Sequence, residues 1–196
     1  MTDVTRNAAA ATERTGLRRT DVGRQLSAGA CGGTHGGSVV LIADRQDDVR
    51  LDAQRYRALV QRVLEAEGVP HPSETAVTFV DPDEMARLHQ IHMGRPGSTD
   101  VLAFPIDLAD GTSATRAPTD DVLVGDVVVC PAVAASNAAA GKGSREGHDG
   151  SVAAEIDLLV VHGVLHLLGM DHADPTDAAV MHARETEHLR TLWGSS

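Results

Sequence analysis

The chain has 196 residues, with 17 Lys and Arg against 28 Asp and Glu and a formal net charge of −11 at pH 7. That length suits one domain with a sizeable core, and no apolar run approaches the ~18 residues of a membrane-spanning helix. Residues 38–196 concentrate the acidity, with 12 basic against 25 acidic side chains and a formal charge of −13. This excludes a broadly basic nucleic-acid surface and, taken alone, points to a protein or small-molecule substrate.

Residues 1–37 are rich in Ala, Thr, Arg and Gly. They offer too little apolar surface to offset the entropy of ordering, so they read as a disordered extension. No stretch in them is apolar enough for a secretory signal, and five Arg against three acids make a weak targeting peptide or nucleic-acid arm. Cys31 and Cys130, the two cysteines, form neither a disulfide framework nor a zinc-cysteine pattern, which fits a reducing cytoplasm.

From residue 38 onward strand and helix signals alternate, which predicts an α/β or α+β domain over 38–196, a sheet of about four strands packed with helices. Residues 38–44 form a short β-branched run. In 51–67, Leu51, Tyr56, Leu59, Val60, Val63 and Leu64 repeat at helical spacing, and Gly68 and Pro70 stop the helix. Residues 76–81 form a second strand. Asp81 then caps a helix with Pro82 at its first position and Glu84 three residues after the cap, and that helix ends near Gly94.

Residues 99–107 and 122–130 read as two further strands, separated by a polar loop at 108–120. Residues 132–140 are a short alanine-rich helix, and 141–150 a glycine-rich, charged loop expected to be mobile. A helix then starts near Ser151, where Glu155, Leu158, Leu159, His162, Leu165 and His166 share one stripe. Asp174 and Pro175 open a final helix containing Val180, Met181, Thr186 and Leu189.

The stretch His162 to His172, HGVLHLLGMDH, carries the chemistry. His162 and His166 are four apart, so both rings project from one helix face and can chelate a single ion. Gly169 ends the helix, since the left-handed turn is cheapest for glycine, and His172 can return to the same ion. Three imidazoles with a fourth position open to water describe a catalytic zinc site rather than a structural one. The spacing HxxxHxxGxxH is also that of the metzincin proteases, whose helix carries Glu directly after the first His as general base. Here that position is Gly163, which cannot accept a proton.

The same stretch resembles the HGxLHLxGxDH signature of the YbeY family of bacterial endoribonucleases, Asp171 included. The resemblance runs through most of 38–190: STDVLAFP at 98–105 is similar to that family's TDVLSFP segment, LVGDVVV at 123–129 to its LGDIVIS strand, and Met181 with Glu185 to its M-x3-E element. It implies a compact α/β fold with a small mixed sheet and one zinc ion on His162, His166 and His172. It also implies single-strand endoribonuclease activity in ribosomal RNA maturation, notably at the 3′ end of 16S rRNA, and in ribosome quality control. The implied partners are single-stranded rRNA and the small ribosomal subunit or its assembly factors, with no membrane and no small-molecule cofactor.

Many members carry an arginine where this chain has Met93, and Arg95 stands two residues later as a candidate for the same charge on a transition-state phosphate. The other reading of Arg95 is an ordinary loop residue. Asp171 either assists water activated by the metal or aims His172 from a turn. Asp100 either orients a ligand histidine or caps a turn. Three functions stay open at this point: a metal-dependent endoribonuclease, a zinc peptidase with an unusual base, and a metal-binding ribosome-assembly factor without turnover. Gly163 counts against the second.

Overall fold

The computed structural model describes residues 37–107, 122–142 and 146–194. The expected disordered extension, Cys31 and the polar loop at 108–120 lie outside them. Four strands and five helices follow in the order β1 (Ser38–Arg45), α1 (Ala53–Ala66), β2 (Ser73–Val80), α2 (Pro82–Met93), β3 (Val101–Pro105), β4 (Val122–Val129), α3 (Pro131–Ala139), α4 (Val152–Leu167) and α5 (Pro175–Trp193). The sheet order is β1-β2-β4-β3. β2 runs parallel to both β1 and β4, while β3 pairs antiparallel with β4, so the sheet is mixed, as the family resemblance implies.

Side-chain alternation along the strands sorts the core into two faces. Val77 and Phe79 of β2 and Val124, Val127 and Val129 of β4 point into the larger core, which α1, α4 and α5 complete with Leu59, Leu64, Ile156, Leu165, Met181 and Leu189. Val80, Leu102, Val128 and Cys130 face the other way and are covered by Met85 of α2. A fully buried Leu or Val is worth roughly 1.5–3 kcal/mol, so α4, buried almost all round, is the central support of the domain.

The helix ends obey local chemistry. Asp52 caps α1 by accepting from the amides of Gln54 and Arg55, which leaves Leu51 outside the helix but still against the core. Asp81 accepts from the Glu84 amide at 2.8 Å, whereas the Glu84 carboxylate turns forward to Arg87 instead of back to the cap. Ser151 accepts from the Ala154 amide at 3.1 Å and fixes where α4 begins.

One polar cluster ties three helices together. Asp157 of α4 is fully buried, pairs with Arg55 of α1, and accepts from Trp193 Nε1 of α5 at 3.3 Å. Burial pushes the Asp157 carboxyl above its usual range despite the opposing guanidinium. These donors offset part of the cost of taking a carboxylate out of water.

Candidate metal centre

The stripe that buries α4 also aims its last turns. Leu165 and Leu167 are held in the core, so His162 and His166 emerge at the partly exposed margin of the helix. The helix closes on Leu168, and Gly169 takes φ +86 with nothing within 4 Å of where its Cβ would be. It is the backbone, not crowding, that requires glycine there. The chain reverses through Met170 and Asp171. Asp171 Oδ1 accepts from the His172 amide at 2.7 Å, a turn bond that sets the entry of the third imidazole.

The three rings come together as the spacing predicts. Their centroids lie 4.5 Å apart for His162 and His166, 5.4 Å for His162 and His172, and 5.0 Å for His166 and His172. One ring nitrogen from each falls within 4.8 Å of the other two. His162 Nδ1 donates to Glu185 Oε1 at 2.7 Å, and His166 Nδ1 donates to the Met170 carbonyl at 2.8 Å. With both Nδ1 atoms protonated, both Nε2 atoms are bare lone pairs, and they face each other at 3.1 Å. Such a pair repels unless a cation lies between them. The separation is close to the roughly 3.3 Å expected for two nitrogens on one tetrahedral zinc ion, so the donor set fits a metal. Burial holds His166 below the usual imidazole range, which favours the neutral form a metal binds.

Glu185 has no solvent exposure and reaches His162 from α5. A carboxylate behind a ligand imidazole fixes its tautomer and raises its basicity. The sequence left Asp100 between that option and a local cap, and its bonds in the structure go with the second. Asp100 Oδ1 accepts from the Val101 amide at 2.9 Å and from Thr99, and its Oδ2 accepts from Asn137 Nδ2 at 2.9 Å. Asp100 therefore builds the start of β3 and reaches α3 rather than a ligand histidine.

Arg95 follows Gly94, which ends α2 at φ 67, and is exposed. It makes no hydrogen bond or ion pair among the described residues, and it does not line the cavity beside His162. Its loop is anchored by His89 Nδ1, which donates to the Gly97 carbonyl at 2.8 Å.

Gly163 is buried against the sheet. A Cβ there would fall 2.5 Å from Val127 Cγ1 and 3.2 Å from Val101 Cγ2, closer than carbon atoms can pack. Position 163 therefore points away from the imidazoles and into β3 and β4, with no space for the glutamate of a metzincin.

Two imidazoles from one helix, a glycine turn and a third imidazole, set on a mixed α/β sheet, define an α/β protein with a three-histidine cluster able to hold a metal ion. Residues 41–193 match the family model described as Endoribonuclease YbeY, and the chain belongs to that family. It is 42% identical over 144 residues to the Endoribonuclease YbeY of Thermobifida fusca, spanning 74% of this chain and 88% of that one. It is 41% identical to that of Salinispora tropica, over 74% of this chain and 90% of the other. The fold is shared with the solution structure of a Thermotoga maritima protein, at TM-score 0.52 and 24% identity over 80% of this chain and 90% of that chain. Among the described residues no helix is long and apolar enough to cross a membrane.

Proposed function

We propose that residues 38–196 form a zinc-dependent endoribonuclease domain that cuts single-stranded ribosomal RNA, acting in the cytoplasm in maturation of the 16S rRNA 3′ end and in ribosome quality control. Residues 1–37 are an extension to it. The observation that carries the reading is the pair of facing Nε2 atoms of His162 and His166, 3.1 Å apart, joined by His172 in a family whose relatives are named endoribonucleases.

His162, His166 and His172 would hold the ion. Once bound, it supplies Lewis acidity, bringing the pKa of water toward ~7 and drawing electron density from a phosphoryl oxygen. The protein's own groups do the remainder. Glu185 and the Met170 carbonyl keep both Nδ1 protons in place, so the Nε2 lone pairs stay aimed inward. Asp171 is exposed and spends one carboxylate oxygen on the His172 amide. Its other oxygen is left to take a proton from the attacking water. Arg95 supplies a cation for the charge that grows on the phosphoryl oxygens, compensating in part for the acidic surface.

The peptidase alternative needs a proton acceptor at position 163, and the contact of that position with Val127 leaves it none. Incubating purified protein with single-stranded rRNA and with casein, each with and without chelator, tests the proposal. Chelator-sensitive cleavage of RNA alone is expected. Chelator-sensitive proteolysis without nuclease activity would overturn it, and metal binding with neither activity would leave an assembly factor.

A further inference from the structure

The two edges of the sheet, β1 and β3, are finished differently. On β1 the carbonyls of Val40 and Ser38 are covered from α1, by Arg57 Nε at 3.1 Å and Gln61 Nε2 at 3.3 Å. Side chains laid along an edge in this way obstruct the addition of another strand. On β3, among the described residues, the only side chain bonded to the strand's main chain is that of Asp100.

The pairing of β3 fixes what its open edge presents. Cys130 donates to the Asp100 carbonyl at 2.8 Å and Ile106 donates to the Val124 carbonyl at 3.1 Å. Alternate residues of an antiparallel strand exchange such bonds, so Asp100, Leu102, Phe104 and Ile106 turn their main chain toward β4, and Val101, Ala103 and Pro105 turn theirs outward. Pro105 has no N–H, and the Val101 N–H donates to Asp100 Oδ1 at 2.9 Å. The edge therefore offers three carbonyls and one donor, the Ala103 amide.

That imbalance selects the occupant. A second copy laid antiparallel about Ala103 would bond there, but it would set each Val101 carbonyl against a proline with nothing to donate. Phosphate oxygens of RNA would meet carbonyl oxygens. An extended peptide presents an N–H at every second residue, roughly 6–7 Å apart, which matches the spacing of the three carbonyls. One face of the added strand would adjoin the cavity beside His162, where Asp100, Glu155 and Glu185 outnumber Lys142, so cationic side chains suit it. On the other face is Phe104, against which His92 packs with ring centroids 4.8 Å apart. His92 stands between Ile91 and Met93, both exposed, which suits apolar side chains.

We propose that β3 is a docking edge for an extended, cationic segment of a partner protein, which joins the sheet as a further strand. Docking here seats the partner beside His162, and its basic residues supply the phosphate affinity that this acidic domain lacks. The docking edge does not depend on RNA cleavage by the protein.

The test titrates the full chain into a short labelled peptide of alternating arginine and valine, blocked at both ends, and reads binding by fluorescence anisotropy. Methylating one alternate set of its amides should weaken binding by about 10-fold or more, while methylating the other set changes little, because only one set faces β3. Hydrogen exchange of the Ala103 amide should be fast in the free protein and slow with the unmodified peptide. Ala103→Pro should weaken binding with metal content unchanged, since proline is tolerated where the N–H faces outward on an edge strand. A peptide of alternating glutamate and valine should not bind. No binding of the cationic peptide, or equal loss of binding on methylating either set, would overturn strand addition. Slow exchange at Ala103 that quickens on dilution of the free protein would give the edge to a second copy, and slowing by oligouridine instead of peptide would give it to RNA; either overturns the proposal. These readings use the unaltered protein, so they decide the matter even if Ala103→Pro fails to fold.

Discussion

Glu185 of α5 and His162 of α4 stand 23 positions apart in the chain, and their side chains meet at 2.7 Å with the carboxylate fully buried. A carboxylate in this position commits His162 to one tautomer, and the committed lone pair faces that of His166. Glu185→Ala should therefore weaken metal binding by roughly 10- to 100-fold, measured by competition with a chromogenic chelator. Glu185→Gln keeps an acceptor but not the charge, and its affinity should fall between parent and alanine variant. Equal affinities in all three would show that Glu185 serves packing alone.

Metal analysis of the purified parent should return near one equivalent of a transition metal, most of it zinc. His166→Ala should remove nearly all of it, because two imidazoles alone are a weak site. Undiminished metal in that variant would place the ion elsewhere.

Much of this was legible from residue patterns, and the exceptions share a cause. Helix α2 could be read end to end from Asp81, Pro82 and Gly94 because capping is local chemistry, and the convergence of His162 and His166 on α4 because their spacing of four is a helix property. The partnership of Glu185 with His162 depends on how α5 crosses α4, which no local pattern encodes. A signal existed even so: Glu185 stands four residues from Met181 and four from Leu189, a carboxylate in the middle of an apolar stripe. Such a residue is buried and needs a partner. The two readings of Asp100, partner of a histidine or cap of a turn, could not be separated without the fold; its bonds go to Val101, Thr99 and Asn137. Gly163 was read as lacking a base, which is correct chemically. That the position is also sealed against Val127 required the sheet.

Arg95 is exposed and unpaired among the described residues, so its removal should not cost stability. If it meets the phosphate charge in the transition state, Arg95→Ala lowers kcat on the order of 10²-fold with metal content and thermal midpoint unchanged. His89→Ala should produce a smaller loss by freeing the loop that His89 ties to Gly97. Full activity in both variants would return Arg95 to the status of a loop residue.

Glu67 offers a pH test independent of the metal. Its burial raises the carboxyl pKa, but Arg184 at 2.8 Å and His188 at 2.6 Å outweigh that and leave it below the usual range. A depressed carboxylate stabilises the fold above its unfolded value of about 4.3, and that contribution disappears as pH falls through the lower folded value. Urea unfolding should then show Glu67→Gln less stable than the parent near neutral pH, with the gap closing below about pH 4. Salt should narrow the gap too, since Arg184 is partly exposed. A gap that is constant across pH would assign the effect to packing instead.

Gly163 gives the most direct separation of this fold from a protease. With its Cβ placed 2.5 Å from Val127 Cγ1, Gly163→Ala should destabilise the protein by about 1–3 kcal/mol through overpacking, read from denaturant unfolding. Val127→Ala alone creates a small cavity and should also destabilise. Combined, the two changes should cost clearly less than the sum of the single changes, because the new methyl group occupies the space the valine vacates. Gly163→Glu should fail to fold or lose its metal rather than acquire peptidase activity, since a side chain at 163 is directed into the sheet and not toward the imidazoles. Strict additivity in the double variant, or a stable and proteolytic Gly163→Glu protein, would mean that the face of α4 bearing residue 163 is open, contrary to the packing seen against Val101 and Val127.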